Sequence, residues 1–182
     1  MSRADAPNRI LDAAIALGTA EGVAALSLQG VATAAGVSKA LVLYHFDGKD
    51  ALLAALAERL VAQDLETLAA AAAAADVLEA WRDAVGATAP RARRALLLAL
   101  LREAPLRPLA AAWQARRATA ATRLGTAMLA SAQLTSRIGA ALLGRVVLRQ
   151  LDGLAMAGDS AHAEALDAEL DATALAVLGL GR

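Results

Sequence analysis

Apolar residues recur at helical spacing along most of the chain, and no β-branched alternation occurs beyond the first 40 residues. A first helix is predicted over about residues 8–20, where Ile10, Leu11, Ala14, Ile15 and Gly18 form one stripe and Gly22 ends it. A long fourth helix follows Lys49 and runs into the alanine run of residues 69–75. Further helices are expected at roughly 76–88, 91–103, 108–132, 135–157 and 160–179. The pattern predicts an all-α protein.

The segment between residues 27 and 49 has the most informative arrangement of polar positions. Ser27 is suited to cap a short second helix, and Gly36 supplies a turn that favours a residue without Cβ. Ser38 is suited to cap a short third helix, and Asp47 the start of the fourth. Two short helices joined by a glycine turn are typical of a helix-turn-helix, which lays its second helix in the DNA major groove.

Composition restricts the other function classes. Apolar residues make up 58% of the chain, and the absence of cysteine excludes disulfides and thiolate metal sites. No apolar run approaches the roughly 18 residues of a membrane span, and no signal-peptide stretch follows the N-terminus, so we expect a cytoplasmic protein without a membrane partner. The net charge is zero, and residues 1–50 carry four basic against five acidic side chains. Binding to DNA must therefore depend on where a few lysine and arginine side chains lie.

The stretch AAGVSKALVLYHFDGKDAL resembles the signature of the tetracycline-repressor (TetR) family, and RILDAAIALGTAEGVAALSLQGVA is similar to that family's first helix and the start of its second. The resemblance covers residues 9–56. It implies an N-terminal three-helix helix-turn-helix domain over residues 1–49 and a ligand-binding, dimerising helical bundle over residues 50–182. The chain departs from the family pattern at Leu43, where Tyr is frequent, and at Gly18, where a large residue is usual.

Helical geometry sorts the third helix into an inner and an outer face. Val37, Val42 and Phe46 should pack against the first two helices, which leaves a second set free to face DNA: Ser38, Lys39, Leu41, Tyr44 and His45.

Each outer residue suits a different contact. Lys39 is expected to reach a base edge or a phosphate, and Leu41 a thymine methyl group. Tyr44 and His45 are suited to phosphates. A phosphate would also be held by Lys49 in the first turn of the fourth helix.

Two further polar residues, Ser27 and Gln29, would meet the DNA backbone or an adjacent base. The competing interpretation of the whole region is a plain helical core, in which Tyr44 and His45 are only surface groups.

The larger domain offers candidate ligand-binding residues. Trp81, Trp113 and Met128 are suited to line an apolar cavity, or alternatively to fill voids among the many alanines. Arg145 and Arg149 share one stripe with Asp152. Such a stripe either faces solvent or, in a buried helix, must be paired or contact a ligand.

Charge in the larger domain is uneven, because residues 76–149 are rich in Arg and residues 158–182 are acidic. This distribution fits a cavity for an anionic effector, a basic region facing an acidic final helix across a dimer, or a solvated pattern. Small and branched residues along 138–157, and the stripe of Leu166, Leu170, Thr173 and Val177, predict that the last two helices form a homodimer interface.

These patterns favour a dimeric repressor that binds a pseudo-palindromic double-stranded operator and is released by a small-molecule effector. An enzyme is not expected, since His45 and His162 are the only histidines and no catalytic cluster has useful spacing. No cofactor or metal is expected. The remaining alternative is a helical protein–protein adaptor that does not bind DNA.

Overall fold

The computed structural model describes residues 6–133 and 139–157, apart from the side chains of residues 85, 86 and 157. These residues form eight α-helices and no strand. The helices are α1 (Ala6–Glu21), α2 (Leu28–Ala35), α3 (Lys39–His45), α4 (Lys49–Ala73), α5 (Val77–Gly86), α6 (Thr88–Leu100), α7 (Arg107–Ser131) and α8 (Ala140–Ala157). The all-α prediction is confirmed. The helix predicted over residues 160–179, with its interface stripe and His162, lies outside the described residues.

The chain divides into two compact units. The first takes Met1–Ala62 together with Ala95–Ala111, and the second takes Gln63–Arg94 together with Ala112–Arg182. Because α4, α6 and α7 each contribute to both units, the first unit is larger than the three-helix head that the motif delimits. No described helix is long and apolar enough to cross a membrane.

In the first unit, α1 contacts α2 and α3, and α2 contacts α3. Their facing side chains form an apolar core in which Ile10, Val31 and Val42 are fully buried. Burial of three such side chains stabilises the unit by about 1.5–3 kcal/mol each. The core therefore fixes α2 and α3, which at 8 and 7 residues are too short to be stable alone.

Gly18 explains one departure from the family pattern. A Cβ atom at this position would lie 2.9 Å from both terminal methyl carbons of Leu96 and 3.4 Å from Leu26. Leu96, on α6, thus fills the space that a large side chain on α1 would otherwise take. The side chains nearest to such a Cβ atom belong to α6 and to the loop before α2.

The second unit has its own apolar core. Its buried members come from α4, α5, α7 and α8: Leu68, Ala71, Val77, Trp81, Ala121, Leu124, Met128, Leu143, Val147, Leu148 and Leu151. The few large side chains are Trp81 and Met128, so alanine and leucine supply most of the packing surface, as the composition predicts.

Helix starts follow local chemistry. The side chain of Asp76 accepts hydrogen bonds from the backbone N–H groups of Leu78 and Glu79 at 3.0 and 2.9 Å, which begins α5. Pro90 and Pro108 lie in the first turns of α6 and α7, where a missing N–H group costs nothing. Since α4 begins at Lys49, the residue just before it is Gly48 and not Asp47, which the sequence suggested as the cap.

Candidate nucleic-acid interface

The orientation of α3 is set by two serine caps and one glycine. The Ser27 hydroxyl accepts from the N–H of Gly30 at 2.9 Å at the start of α2. The Ser38 hydroxyl accepts from the N–H of Leu41 at 3.1 Å at the start of α3. Between them Gly36 has a φ of 65°, a left-handed conformation that favours glycine. The predicted helix–turn–helix geometry is confirmed, and both serines satisfy backbone groups that would otherwise lack partners.

The two faces of α3 differ sharply in exposure. Val42 and Phe46 are buried and hold the helix against α1 and α2. On the other side Lys39 is exposed, Leu43 is 43% exposed and Tyr44 is 82% exposed. A helix with one buried face and one face of cationic, aromatic and aliphatic groups has the form required to enter a major groove.

Tyr44 and His45 are adjacent at the end of α3. Their ring centroids lie 5.1 Å apart and the rings are nearly perpendicular, with an interplanar angle of 77°. His45 is half-buried, whereas Tyr44 extends into solvent. The edge-to-face contact restricts both rings, so the phenol hydroxyl is presented in a limited range of directions.

Other predicted contacts differ in how far they reach into solvent. Ser27, Gln29 and Ser38 are exposed, and the Gln29 amide donates to the hydroxyl of Thr33 at 3.4 Å. Leu41 is half-buried. Leu43 is therefore the most exposed leucine of α3, although the sequence interpretation assigned the apolar contact with DNA to Leu41.

Lys49 borders a cleft of about 290 Å³ in the first unit. The cleft is lined by Val23, Ala24, Lys49, Asp50, Leu53, Glu103, Pro105 and Leu106. Its floor is apolar because Leu53 and Leu106 are buried, and its rim carries one ammonium and two carboxylates. The carboxylates beside Lys49 disfavour binding of an anion at this site. The free N–H groups in the first turn of α4, where Lys49 lies, favour it.

An ion pair ties α1 to α4 within the first unit. Arg59 donates to Asp12 at 2.6 Å and to the amide oxygen of Asn8 at 3.2 Å. Asp12 is 61% exposed, so water screens this pair. Its expected contribution is about 0–1 kcal/mol, and it fixes orientation more than it adds stability.

The second unit contains a buried ionic network centred on Asp64 of α4, which is 8% exposed. Its carboxylate accepts from the indole N–H of Trp113 at 3.1 Å and forms an ion pair with Arg94 of α6. Arg117 of α7 lies 3.8 Å from the same carboxylate and stacks over the Trp113 ring at 4.7 Å from its centroid.

Asp152 of α8 completes the network. Arg117 donates to both of its carboxylate oxygens at 2.6 Å, and also to the carbonyl of Leu148 at 3.3 Å. Arg94 lies 3.9 Å from the same carboxylate. The positive charges of the two guanidinium groups therefore equal the negative charges of the two carboxylates. The network joins α4, α6, α7 and α8.

Burial lowers the pKa of the Arg94 guanidinium below its usual value, and Arg117 acts in the same direction. Asp64 and Asp152 oppose this shift by stabilising the cation. Arginine stays charged because its ordinary pKa is far above neutral, so the energetic cost of burial must be offset by the two carboxylates.

The candidate ligand-binding residues fall in three different environments. Trp81 and Met128 are buried in the apolar core of the second unit, and Trp113 belongs to the ionic network. Arg145 and Arg149 are exposed on α8, whereas Asp152, which shares their stripe, pairs with Arg117. The stripe is therefore divided between solvent and the interior.

The sequence contained one signal for the network that the motif-based interpretation missed. Asp64 lies between Leu60 and Leu68 at helical spacing, and both leucines are 2% exposed. An acidic residue inside an apolar stripe must find a partner when the helix is buried. The partners lie more than 25 positions away on other helices, so the sequence around Asp64 does not identify them.

Comparison with known proteins gives the same architecture. Residues 10–56 match the family of bacterial regulatory proteins called the tetR family. A transcriptional regulator from Rhodococcus sp. RHA1 is 22% identical with a TM-score of 0.73, and the alignment covers 95% of this chain and 96% of that one. GusR of Salmonella enterica is 16% identical with a TM-score of 0.72 and coverages of 100% and 97%.

A third similar structure is the multidrug binding protein EbrR complexed with malachite green, at 23% identity and a TM-score of 0.63, with coverages of 97% and 98%. At these identities the structural similarities establish the fold. No curated protein matches the chain in sequence. Within the described residues, no group of three or more histidine or acidic side chains could hold a metal ion.

Proposed function

The chain is a tetR-family protein in its N-terminal region and shares its fold with that family's regulators, and on this premise we propose that it is a dimeric, ligand-responsive transcriptional repressor. Its operator would be a pseudo-palindrome read by α3, and a small-molecule effector would release it. The observation that carries the proposal is the outer face of α3, where Lys39 and Tyr44 are exposed on a helix held by two serine caps.

Contacts with DNA follow from the chemistry of that face. Lys39 near the start of α3 would reach a guanine edge or a phosphate, and Tyr44 would donate to a phosphate. Lys49 and the free N–H groups of α4 would hold a second phosphate. Ser27, Gln29, Ser38 and His45 would supply further backbone contacts, mostly positioning the protein.

Dimerisation would use α8 together with the helix predicted from the sequence over residues 160–179. Leu142, Val146 and Met156 are 42%, 41% and 59% exposed, and they fall on one side of α8. A row of exposed apolar side chains is typical of an interface between protein chains. Two copies would place two α3 helices about one DNA turn apart, or ~34–36 Å, which a pseudo-palindromic operator requires.

The effector would bind in the second unit. EbrR, whose fold is similar, holds the dye malachite green. One buried N–H group each of Trp81, Arg94 and Arg117 has no hydrogen-bond acceptor within the described part of the chain, although other N–H groups of both arginines are ion-paired. Unpaired buried donors are costly, so an effector that carries acceptor groups would gain by satisfying them.

Helix α4 would couple the two sites. Lys49 begins the helix on the DNA-binding side, and Asp64, further along the same helix, is held by Trp113 and Arg94. An effector that competes for Arg94 or Arg117 would loosen this hold and change the position of α4. By linkage, operator and effector must weaken each other's binding by the same factor, typically about 5–150-fold.

The test is binding of the purified protein to DNA that flanks its own gene, beside a variant with Tyr44→Ala and Lys49→Ala. The proposal expects tight, salt-sensitive binding by the wild type and its loss in the variant. A second variant, Arg116→Ala with Arg123→Ala, removes exposed cations of α7 and should bind like the wild type. If no flanking fragment binds and selection from random DNA enriches nothing, the protein is an adaptor and the proposal is wrong.

A further inference from the structure

Leu43 occupies an unusual place for an aliphatic side chain. It is 43% exposed, beside the 82% exposed Tyr44, on the outer face of a seven-residue helix. Single exposed leucines are common on protein surfaces and need no explanation. The position of this one is informative, because it stands in the centre of the face that would enter the major groove.

The neighbours of Leu43 define a short recognition ridge. Lys39 and Ala40 precede it by four and three positions, so all three lie on the same side of α3. Both are exposed. The ridge therefore presents an ammonium group at the start of the helix, followed one turn later, about 5.4 Å along the axis, by an apolar surface.

That surface can recognise only one feature of the groove. Each base pair offers hydrogen-bond donors and acceptors in the major groove, and thymine alone offers an apolar group, its C5-methyl. Leucine has no donor or acceptor, so against any other base it would cover polar atoms without replacing their bonds to water. Against thymine, the leucine side chain would bury the C5-methyl group without covering polar atoms of the base.

We infer that Leu43 is a specificity-determining residue that selects a thymine in each operator half-site through the C5-methyl group. This inference rests on the proposed function and adds to it a base preference. Lys39 and Leu43 are about one turn of α3 apart, which corresponds to one or two base steps at about 3.4 Å each. The selected thymine should therefore lie one or two base steps from the base or phosphate that Lys39 contacts.

The competing assignment is Leu41, which the sequence interpretation favoured for the same contact. Leu41 is half-buried, and it lies two positions from Leu43, on a different side of the helix. Its methyl groups are partly engaged within the protein. The two leucines thus give distinguishable predictions.

The experiment begins with selection of tight-binding fragments from random double-stranded DNA by the full-length protein. Each thymine of the resulting half-site is then replaced by uracil, which removes the methyl group and keeps all hydrogen-bonding groups. Dissociation constants are measured for the wild type, Leu43→Ala, Leu43→Met and Leu41→Ala.

At one thymine position, uracil should weaken wild-type binding by about fourfold per half-site, the value for burial of one CH₂-sized group, and by about 15-fold when both half-sites are changed. Leu43→Ala should bind both DNAs nearly equally, because the shorter alanine side chain no longer reaches the C5-methyl group. Leu43→Met and Leu41→Ala should keep the preference for thymine.

Two results would overturn the inference and leave the proposed function intact, and a third would overturn both. Equal binding of thymine and uracil DNA by the wild type at every position refutes the methyl contact. Retained discrimination in Leu43→Ala, or its loss only in Leu41→Ala, assigns the contact elsewhere. A wild-type protein that enriches no sequence refutes the proposed function, and this inference with it.

Discussion

Gly144 of α8 crosses Ala121 of α7 so closely that a Cβ atom on Gly144 would overlap the carbonyl of Ala121. One turn further along α7, a Cβ on Gly125 would overlap the carbonyl of Ala140 in the same way. Both obstacles are backbone atoms, which cannot turn aside as a flexible side chain can. The two helices therefore touch main chain to main chain, and this contact sets the separation on which the Arg117–Asp152 pair depends.

Gly144→Ala should destabilise the protein although alanine is the better helix former. Overpacking typically costs about 1–3 kcal/mol, which exceeds the gain of about 1 kcal/mol from helix propensity. The measurement is urea unfolding followed by circular dichroism. Gly153→Ala is the matched control on α8, because nothing lies within 4 Å of a Cβ placed there. Equal midpoints for the two variants would show that the helices separate without cost.

Asp64→Asn should be strongly destabilising, because it leaves Arg94 and Arg117 buried with a single carboxylate between them. Removal of one partner from a buried ionic pair typically costs about 3–5 kcal/mol. The isosteric control is Asp12→Asn, which removes the exposed partner of Arg59 and should cost at most about 1 kcal/mol. Similar losses in the free energy of unfolding would mean that water reaches the network.

Ser38 offers a way to separate capping from DNA contact. Ser38→Asp keeps an N-cap acceptor for the N–H of Leu41, so stability should be unchanged, yet it places a negative charge toward DNA phosphates. Ser38→Ala removes the cap, at a cost of about 1 kcal/mol, without adding charge. We expect Ser38→Asp to bind DNA at least tenfold more weakly than Ser38→Ala. The reverse order would mean that this end of α3 faces away from DNA.

Val146→Glu should convert the proposed dimer into a monomer, since it places a charge in the exposed apolar row of α8. Sedimentation at several concentrations measures the change, and retained helical circular dichroism shows that the fold persists. Thr122→Glu, at an exposed position of α7, is the control and should leave the mass unchanged. A Val146→Glu protein that remains dimeric at micromolar concentration would exclude this face as the interface.

Local chemistry made the first unit predictable from sequence. Ser27, Gly36 and Ser38 act within four residues of themselves, so their caps and turn can be read from the chain and are confirmed. The role of Gly18 was not readable, because Leu96, which fills the space beside it, stands 78 positions later. That Leu43 is more exposed than Leu41 was not readable either, since a helix of seven residues gives too few positions to rank the two.

The second unit was less predictable because its partners are distant in sequence. Asp64 could be identified as a charge within an apolar stripe, but nothing in the sequence indicated that Trp113 and Arg94 would meet it. The homodimer and the effector remain predictions, and the helix predicted over residues 160–179 lies outside the described residues.

On the proposed function, the outer face of α3 and the start of α4 bind DNA phosphates and bases. The most direct test is the salt dependence of affinity for one selected operator, measured for the wild type and for Lys39→Ala with Lys49→Ala. Each lost phosphate contact lowers the slope of log affinity against log salt by about 0.9, so a dimer that loses four lysines should lose about 3–4 in slope if all four contact phosphates. Unchanged slope and affinity in the variant would show that neither lysine contacts DNA and that this surface is not the DNA-binding site.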